Sequence, residues 1–319
     1  MKNKLFAALL FAGFVGQVSN VVSAKTVSIG TPPQGSLAYA SGAAIAKVAT
    51  EATGDNFRVV PQGGPPVIVP SVNVGRMEFG LIASVAATYG YRGIEIFKKA
   101  NPDIRVVSAL YPIRLGMAVR RDSGIGSLQD LKGHRLASEL VKQKNTLRFT
   151  EAYLESAGLS FDDVTGVPVP NFARGVEALQ ADKVDSSIAS IGSGIIAQAN
   201  ASINGGVKFL ELENGSDIQK IIDRLVPSAY VDTIEPNPSR VGIDGASRVL
   251  AQDLLLITGV ETPDELVYQV AKALASNKPA LVSAVGAFEG YNPGAVAREL
   301  PVPYHPGAIR YLKEQGSWQ

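Results

Sequence analysis

Thr26-Val27-Ser28-Ile29-Gly30 alternates in polarity, Thr31-Pro32-Pro33-Gln34-Gly35-Ser36 is rich in turn residues, and Leu37 to Ala52 is Ala-rich with small residues on one face. The period of two predicts a strand and the small-residue face predicts a packed helix. Proline, glycine and serine between them predict a tight turn. One strand, one small-residue turn and one helix make half of a parallel β-α-β unit.

The same order recurs outward from this stretch. Phe57 to Pro61 reads as a strand ended by Gln62-Gly63-Gly64-Pro65-Pro66, with a short helix from about Val67 to Val74. Phe79 to Ala83 is a third strand; Ser84 stands at its end, and Val85 to Tyr91 is helical. Arg105 to Leu110 and Leu115 to Arg120 are strand-like, with Tyr111-Pro112 between them. Ser127 to Gly133 reads as a short capped helix. His134 to Ala137, Val164 to Val167 and Val184 to Ala189 are strands. Asn145 to Ala157 and Phe172 to Ala181 are helices, and Ser190-Ile191-Gly192-Ser193-Gly194 is a further small-residue turn. Leu250 to Ile257 is an apolar run with the length of a fully buried strand, and Pro263 to Ala275 is an amphipathic helix. The pattern predicts an α/β protein built on parallel sheet.

Composition narrows the classes. Lys and Arg number 30 against 29 Asp and Glu, so the net charge of +1 argues against nucleic acid as a partner. There is no cysteine, which excludes disulfides, thiolate metal sites and a nucleophilic thiol. Two histidines in unrelated contexts make no transition-metal site, and no nucleophile-elbow frame surrounds Ser193. Neither catalysis nor a cofactor is expected. His305, between Tyr304 and Pro306, reads as structural.

Lys2 and Lys4, the apolar run Leu5 to Val15 and the ending Val22-Ser23-Ala24 have the form of an export signal, with cleavage expected after Ala24. The remaining chain of about 295 residues exceeds one ordinary core and predicts two lobes. Residues 25–111 with 251–319 would form lobe 1, and 112–250 lobe 2. The expected location is the periplasm, as a monomer.

Parallel sheets bind ligands at the carboxyl ends of their strands, where helix N-termini direct free N–H groups. The candidate ligand residues are therefore Thr31, Gln34, Gly35, Ser36 and Tyr39; Gln62, Gly63 and Gly64; Ser84 and Tyr111; and Ser190, Gly192 and Ser193. Thr146, Arg148 and Arg174 lie in the first turns of two lobe 2 helices, the arginines as candidate partners for a carboxylate; Arg114 follows the crossover segment.

Read in order, Ser28 to Thr31 with Tyr39, Gln62-Gly63-Gly64, Gly75 to Leu81, Ser108-Ala109-Leu110-Tyr111-Pro112 and Ser127 to Gly133 resemble the TAXI family. Its members are the extracytoplasmic binding proteins of tripartite TRAP transporters. Leu300-Pro301-Val302-Pro303-Tyr304-His305-Pro306-Gly307-Ala308-Ile309-Arg310-Tyr311 is the most specific match. Two stretches depart from the family pattern, SELVKQKNT at Ser138 to Thr146 and Ile191-Gly192-Ser193-Gly194. The resemblance implies a two-lobe type II periplasmic-binding-protein fold with a hinge and a central cleft. It further implies a small organic-anion ligand (dicarboxylate, 2-oxo acid or acidic amino acid) and a membrane permease as partner. A sensing module for a membrane receptor kinase and an enzyme on the same fold are the alternatives.

Overall fold

The computed structural model describes residues 24–34, 36–139, 144–213, 217–295 and 297–318. The expected leader up to Ser23, Gly35 and the middle of the SELVKQKNT stretch lie outside the described residues. The chain begins β1 (Thr26–Thr31), α1 (Leu37–Thr53), β2 (Asn56–Pro61), α2 (Pro65–Asn73), β3 (Phe79–Ala83), α3 (Ser84–Arg92) and the long β4 (Ile104–Arg120). It continues through β5 (Arg135–Ser138), α4 (Lys144–Ser156), β6 (Thr165–Pro168), α5 (Phe172–Gln180), β7 (Ser186–Ser190) and α6 (Gly194–Ser202). Next come β8 (Val207–Leu210), α7 (Ile218–Leu225), β9 (Tyr230–Ile234) and β10 (Ser247–Gly259). The chain closes with α8 (Asp264–Ser276), α9 (Lys278–Ala284) and α10 (Pro306–Glu314).

The strands form a mixed sheet in the order β2-β1-β3-β10-β4-β7-β5-β6, with β8 on β4 and β9 on β10. β1, β2 and β3 are parallel, as are β5, β6 and β7. The parallel pattern read from the sequence holds within each set and not at the centre. There β10 runs antiparallel to β3, β4 and β9, and β4 antiparallel to β7 and β8. β4 and β10 thus cross from one parallel set to the other, once in each direction.

Tyr111-Pro112 does not divide β4. Pro112 lacks a donor, but its partner across the ladder is Asp253, whose N–H bonds the Ser84 hydroxyl at 3.3 Å. The Asp253 N–H is thus directed to the β3 side and makes no ladder bond to Pro112. The expected helix at Ser127 to Gly133 is a single 3-10 turn, Gln129–Leu131. Here the Asp130 carboxylate accepts from the N–H groups of Gly126 and Ser127, both at 2.9 Å, and holds a tight loop instead.

β10 shows why its sequence carries no polar alternation. Leu254 and Leu256 enter a core with Ile45, Phe79, Leu81 and Leu274, while Leu255 and Ile257 enter a second with Ile68, Val72, Val85 and Tyr153. Both faces are covered, so both sets of positions are apolar. Helix-to-sheet spacing is set by small residues. A Cβ on Gly80 would stand 2.7 Å from Ile68 and 3.1 Å from Val72, so glycine there lets α2 lie close on β3.

Asp185 ties β5 to the entry of β7. Its carboxylate receives Arg135 Nη2 at 2.6 Å and the Arg135 backbone N–H at 2.8 Å, and the guanidinium holds its pKa down to about 2. Its folded value lies below the unfolded value of about 3.9. Its stabilisation is therefore present above about pH 4 and lost as pH falls toward 2. Asp185→Asn should flatten the acid limb of melting temperature against pH across that window. An unchanged acid limb would remove Asp185 from the account.

Candidate functional site

The carboxyl ends of β1 and β2 are brought together. Gln62 N donates to Thr31 O at 2.7 Å, joining the first two candidate turns. Thr31 is buried, Gln34 exposed, and Ser36 caps α1 by accepting from Tyr39 N at 3.1 Å. Tyr39 is half-buried. Gly63 is exposed, with only Val67 within 4 Å of where a Cβ would be, so this position borders open space. The first turn of α2 differs from an ordinary helix N-terminus. Pro65 and Pro66 have no N–H, and Val67 N and Ile68 N both bond Gly64 O. The proline pair thus takes two donors out of this helix start.

Other candidates gather where β4 and β10 cross. Ser84 is buried, donates to Ser228 O at 3.1 Å and accepts from Asp253 N. Ser190 pairs with Leu115, and Ile191 N donates to Arg114 O at 2.9 Å, which places the Ser190 to Ser193 turn beside Arg114. Gly192 is exposed. Ser193 caps α6, and its buried hydroxyl has no partner among the described residues.

Arg148 and Arg174, two of the arginines named from sequence, are engaged elsewhere. Thr146 and Arg148 are the third and fifth residues of α4, half-buried. Arg148 uses Nε and Nη2 on Glu95, at 3.2 and 3.0 Å, and Nη1 on Glu151 at 2.6 Å. Arg174 is exposed on α5 and pairs with Glu177.

A cavity of about 590 Å³ lies against the crossing. β4 contributes Ser108, Tyr111, Pro112 and Arg114; β9 contributes Tyr230 and Asp232; β10 contributes Asp253. The segment around Tyr291, Arg298 and Tyr304 forms the facing wall. Of the residues named from sequence, Tyr111 and Arg114 line this cavity. The Tyr111 hydroxyl also meets Ser41 of α1 at 2.7 Å.

Two acid–base pairs order the lining. Arg114 Nε meets Asp232 at 2.7 Å and Arg298 Nε meets Asp253 at 2.9 Å. The Tyr230 hydroxyl donates to Asp253 at 2.8 Å, and the Arg298 guanidinium stacks 3.7 Å from the centre of the Tyr230 ring. Burial pushes the phenols of Tyr111, Tyr291 and Tyr304 up to about 12. Burial and then the Asp253 carboxylate raise that of Tyr230. All four therefore keep their protons at neutral pH. Arg298 and Asp253 were not read from sequence. The only local signal was the Gln252-Asp253 pair inside an otherwise apolar run.

His305 keeps the structural role expected of it. It is buried and caps α10, its Nδ1 accepting from Gly307 N at 3.2 Å.

Two parallel strand sets bridged by two long antiparallel strands, with a cavity at the crossing, make the fold of the periplasmic binding proteins. The TctC solute-binding protein of Polaromonas is similar at a TM-score of 0.53 and 15% identity, over 85% of this chain and 91% of that one. A periplasmic sulfonate-binding protein, SsuA, of Methylobacillus flagellatus is similar at 0.51 and 16%, over 92% and 88%. A structure described as a periplasmic transporter is similar at 0.55 and 13%, over 93% and 94%. The family model of the NMT1-like family matches residues 29–316, and the chain belongs to that family.

Proposed function

We propose that this protein is the solute-binding component of a TAXI-type TRAP transporter. It captures a small organic anion in the periplasm and presents it to a membrane permease, without chemistry on the ligand. The observation that carries this reading is the cavity at the β4–β10 crossing, lined from both proposed lobes. Residues 25–111 with 251–319 act as one lobe and 112–250 as the other. A ligand at the crossing touches both, so its binding and a hinge movement share one free energy. Family membership supports a transport role, and the similar structures include a solute-binding protein and a sulfonate-binding protein.

Native mass spectrometry of protein taken from a periplasmic extract tests this. The expected result is a chain beginning at Lys25 with a small acid retained non-covalently and unchanged after release. Organic anions should raise the melting temperature and neutral sugars should not. Turnover of the retained compound, or stabilisation only by uncharged compounds, counts against the proposal.

A further inference from the structure

We propose that α3 is a clasp that holds the two lobes together in the absence of solute, with Ser84 carrying its grip into the cavity wall. This rests on the solute-binding reading and on the division into lobes proposed with it. It gives Ser84 a positioning role in place of contact with the ligand.

α3 and the loop after it belong to lobe 1, yet their polar side chains reach lobe 2. The Ser84 hydroxyl donates to Ser228 O at 3.1 Å, the Thr88 hydroxyl meets that of Ser228, and the Tyr89 hydroxyl donates to Leu225 O. Glu95, in the loop after α3, receives Arg148 of α4 through Nε at 3.2 Å and Nη2 at 3.0 Å. Ser84, Thr88 and Tyr89 are buried. Val85, Ala86 and Tyr89 share one apolar cluster with Tyr153, Leu225 and Val226 of lobe 2. Parting the lobes would break these bonds together and wet that cluster. Each such bond favours the clasped form by about fivefold, so three acting together favour it by about 100-fold.

The backbone marks the same contacts. Among the described residues four non-glycine residues have positive φ, and two of them, Glu95 at 58° and Ser228 at 76°, are partners in the clasp. Such conformations persist where surrounding contacts over-determine them, and they gather at switch segments.

The grip reaches the cavity through one hydroxyl. Besides donating to Ser228 O, Ser84 Oγ accepts from Asp253 N at 3.3 Å. Ser228 lies two residues before Tyr230, and the Tyr230 hydroxyl donates to the Asp253 carboxylate at 2.8 Å in the cavity wall. Ser84 thus fastens both partners of the Tyr230–Asp253 contact, one from each lobe. That wall is set before solute arrives, and closure then draws little on the free energy of binding.

Electron-spin distance measurements test the clasp on the chain from Lys25, unfolded and refolded to remove retained solute. Because the sequence has no cysteine, labels at Lys47→Cys on α1 and Lys183→Cys beyond α5, both exposed, report one distance between the lobes. The otherwise unchanged chain should give a single narrow distance. In Ser84→Ala/Tyr89→Phe/Arg148→Met the clasped-to-open ratio should fall by about 100-fold, and a longer distance should appear. Lys220→Met, which removes a pair with Asp217 beside the same lobe 2 helix, should leave the distance unchanged. Hydrogen exchange reads the single variants, and decides the matter if the triple variant does not fold. Arg148→Met should speed exchange about fivefold at residues 228–230 and 253, away from its own contacts. Arg148→Lys, which keeps a cation opposite Glu95, should restore most of the protection. A refolded chain already spread over two distances, a triple variant with the original distance alone, or unaltered exchange in Arg148→Met overturns the clasp. In that event a solute still retained in native mass spectrometry leaves the solute-binding reading standing. A clasp that holds in a protein retaining no solute removes that reading alone.

Discussion

Tyr153→Phe is expected to lower stability by about 2–4 kcal/mol, although it removes a single oxygen. The Tyr153 hydroxyl is fully buried, donates to Leu115 O at 2.7 Å and accepts from Leu250 N at 2.9 Å. Leu115 and Leu250 face each other across β4 and β10, and the phenol bridges them where α4 packs on the crossing. Phenylalanine would leave one N–H and one C=O without their partner in a dry site, and each such group costs about 1–3 kcal/mol. For a chain of this size that is roughly a 3–6 °C fall in melting temperature. Thermal unfolding followed by circular dichroism measures it. A fall of under one degree would mean that the strands close on each other or that water enters.

Gly307→Ala should be of similar severity for a steric reason. A Cβ at Gly307 would stand 2.2 Å from Asp264 O and 3.0 Å from Tyr268 N, both backbone atoms of α8. Backbone cannot swing aside as a side chain can, so α10 as a whole must move away from α8. We expect a loss of about 3 kcal/mol, the upper end of the usual overpacking cost. Tyr311 and Leu312 of α10 line the cavity, so ligand affinity should fall together with the melting temperature. Calorimetry on the variant below its melting transition separates the two effects. Unchanged affinity in a destabilised variant would show that the cavity tolerates the shift.

The repeating strand, turn and helix were legible because most elements repeat their own period over five or more residues, with turn residues between them. The direction of the sheet at its centre was not. An apolar run such as Leu250 to Ile257 reports burial on both faces, but antiparallel placement of β10 between β3 and β4 is settled by contacts between distant residues. β9 is another such case. Tyr230 to Ile234 is short and half-buried, and its ladder partner is β10. The first two turns were placed correctly at the ends of β1 and β2. The proline pair at the start of α2 was visible in sequence, yet its effect on donors emerges only with the helix boundary at Pro65. For the arginines, Arg148 is the fifth residue of α4, close to the helix start as expected. The carboxylate that occupies it, Glu95, belongs to the loop after α3, a relation no local pattern encodes. Arg298 has no periodic context at all and meets Asp253 only through the fold.

The position of β10 has a consequence in time as well as in space. β3 and β4 are synthesised long before the strand that joins them. Until Ser247 to Gly259 emerges, Phe79 to Ala83 and the first part of β4 each carry an open apolar edge. Ordering of the first parallel set must therefore wait for closure of a loop that contains the whole second set, which is slow by its length and its topology. A nascent or truncated chain ending before Ser247 keeps both edges available for pairing with a second copy. The strand that makes the sheet continuous is also the one whose late arrival decides when the chain ceases to be vulnerable to its neighbours.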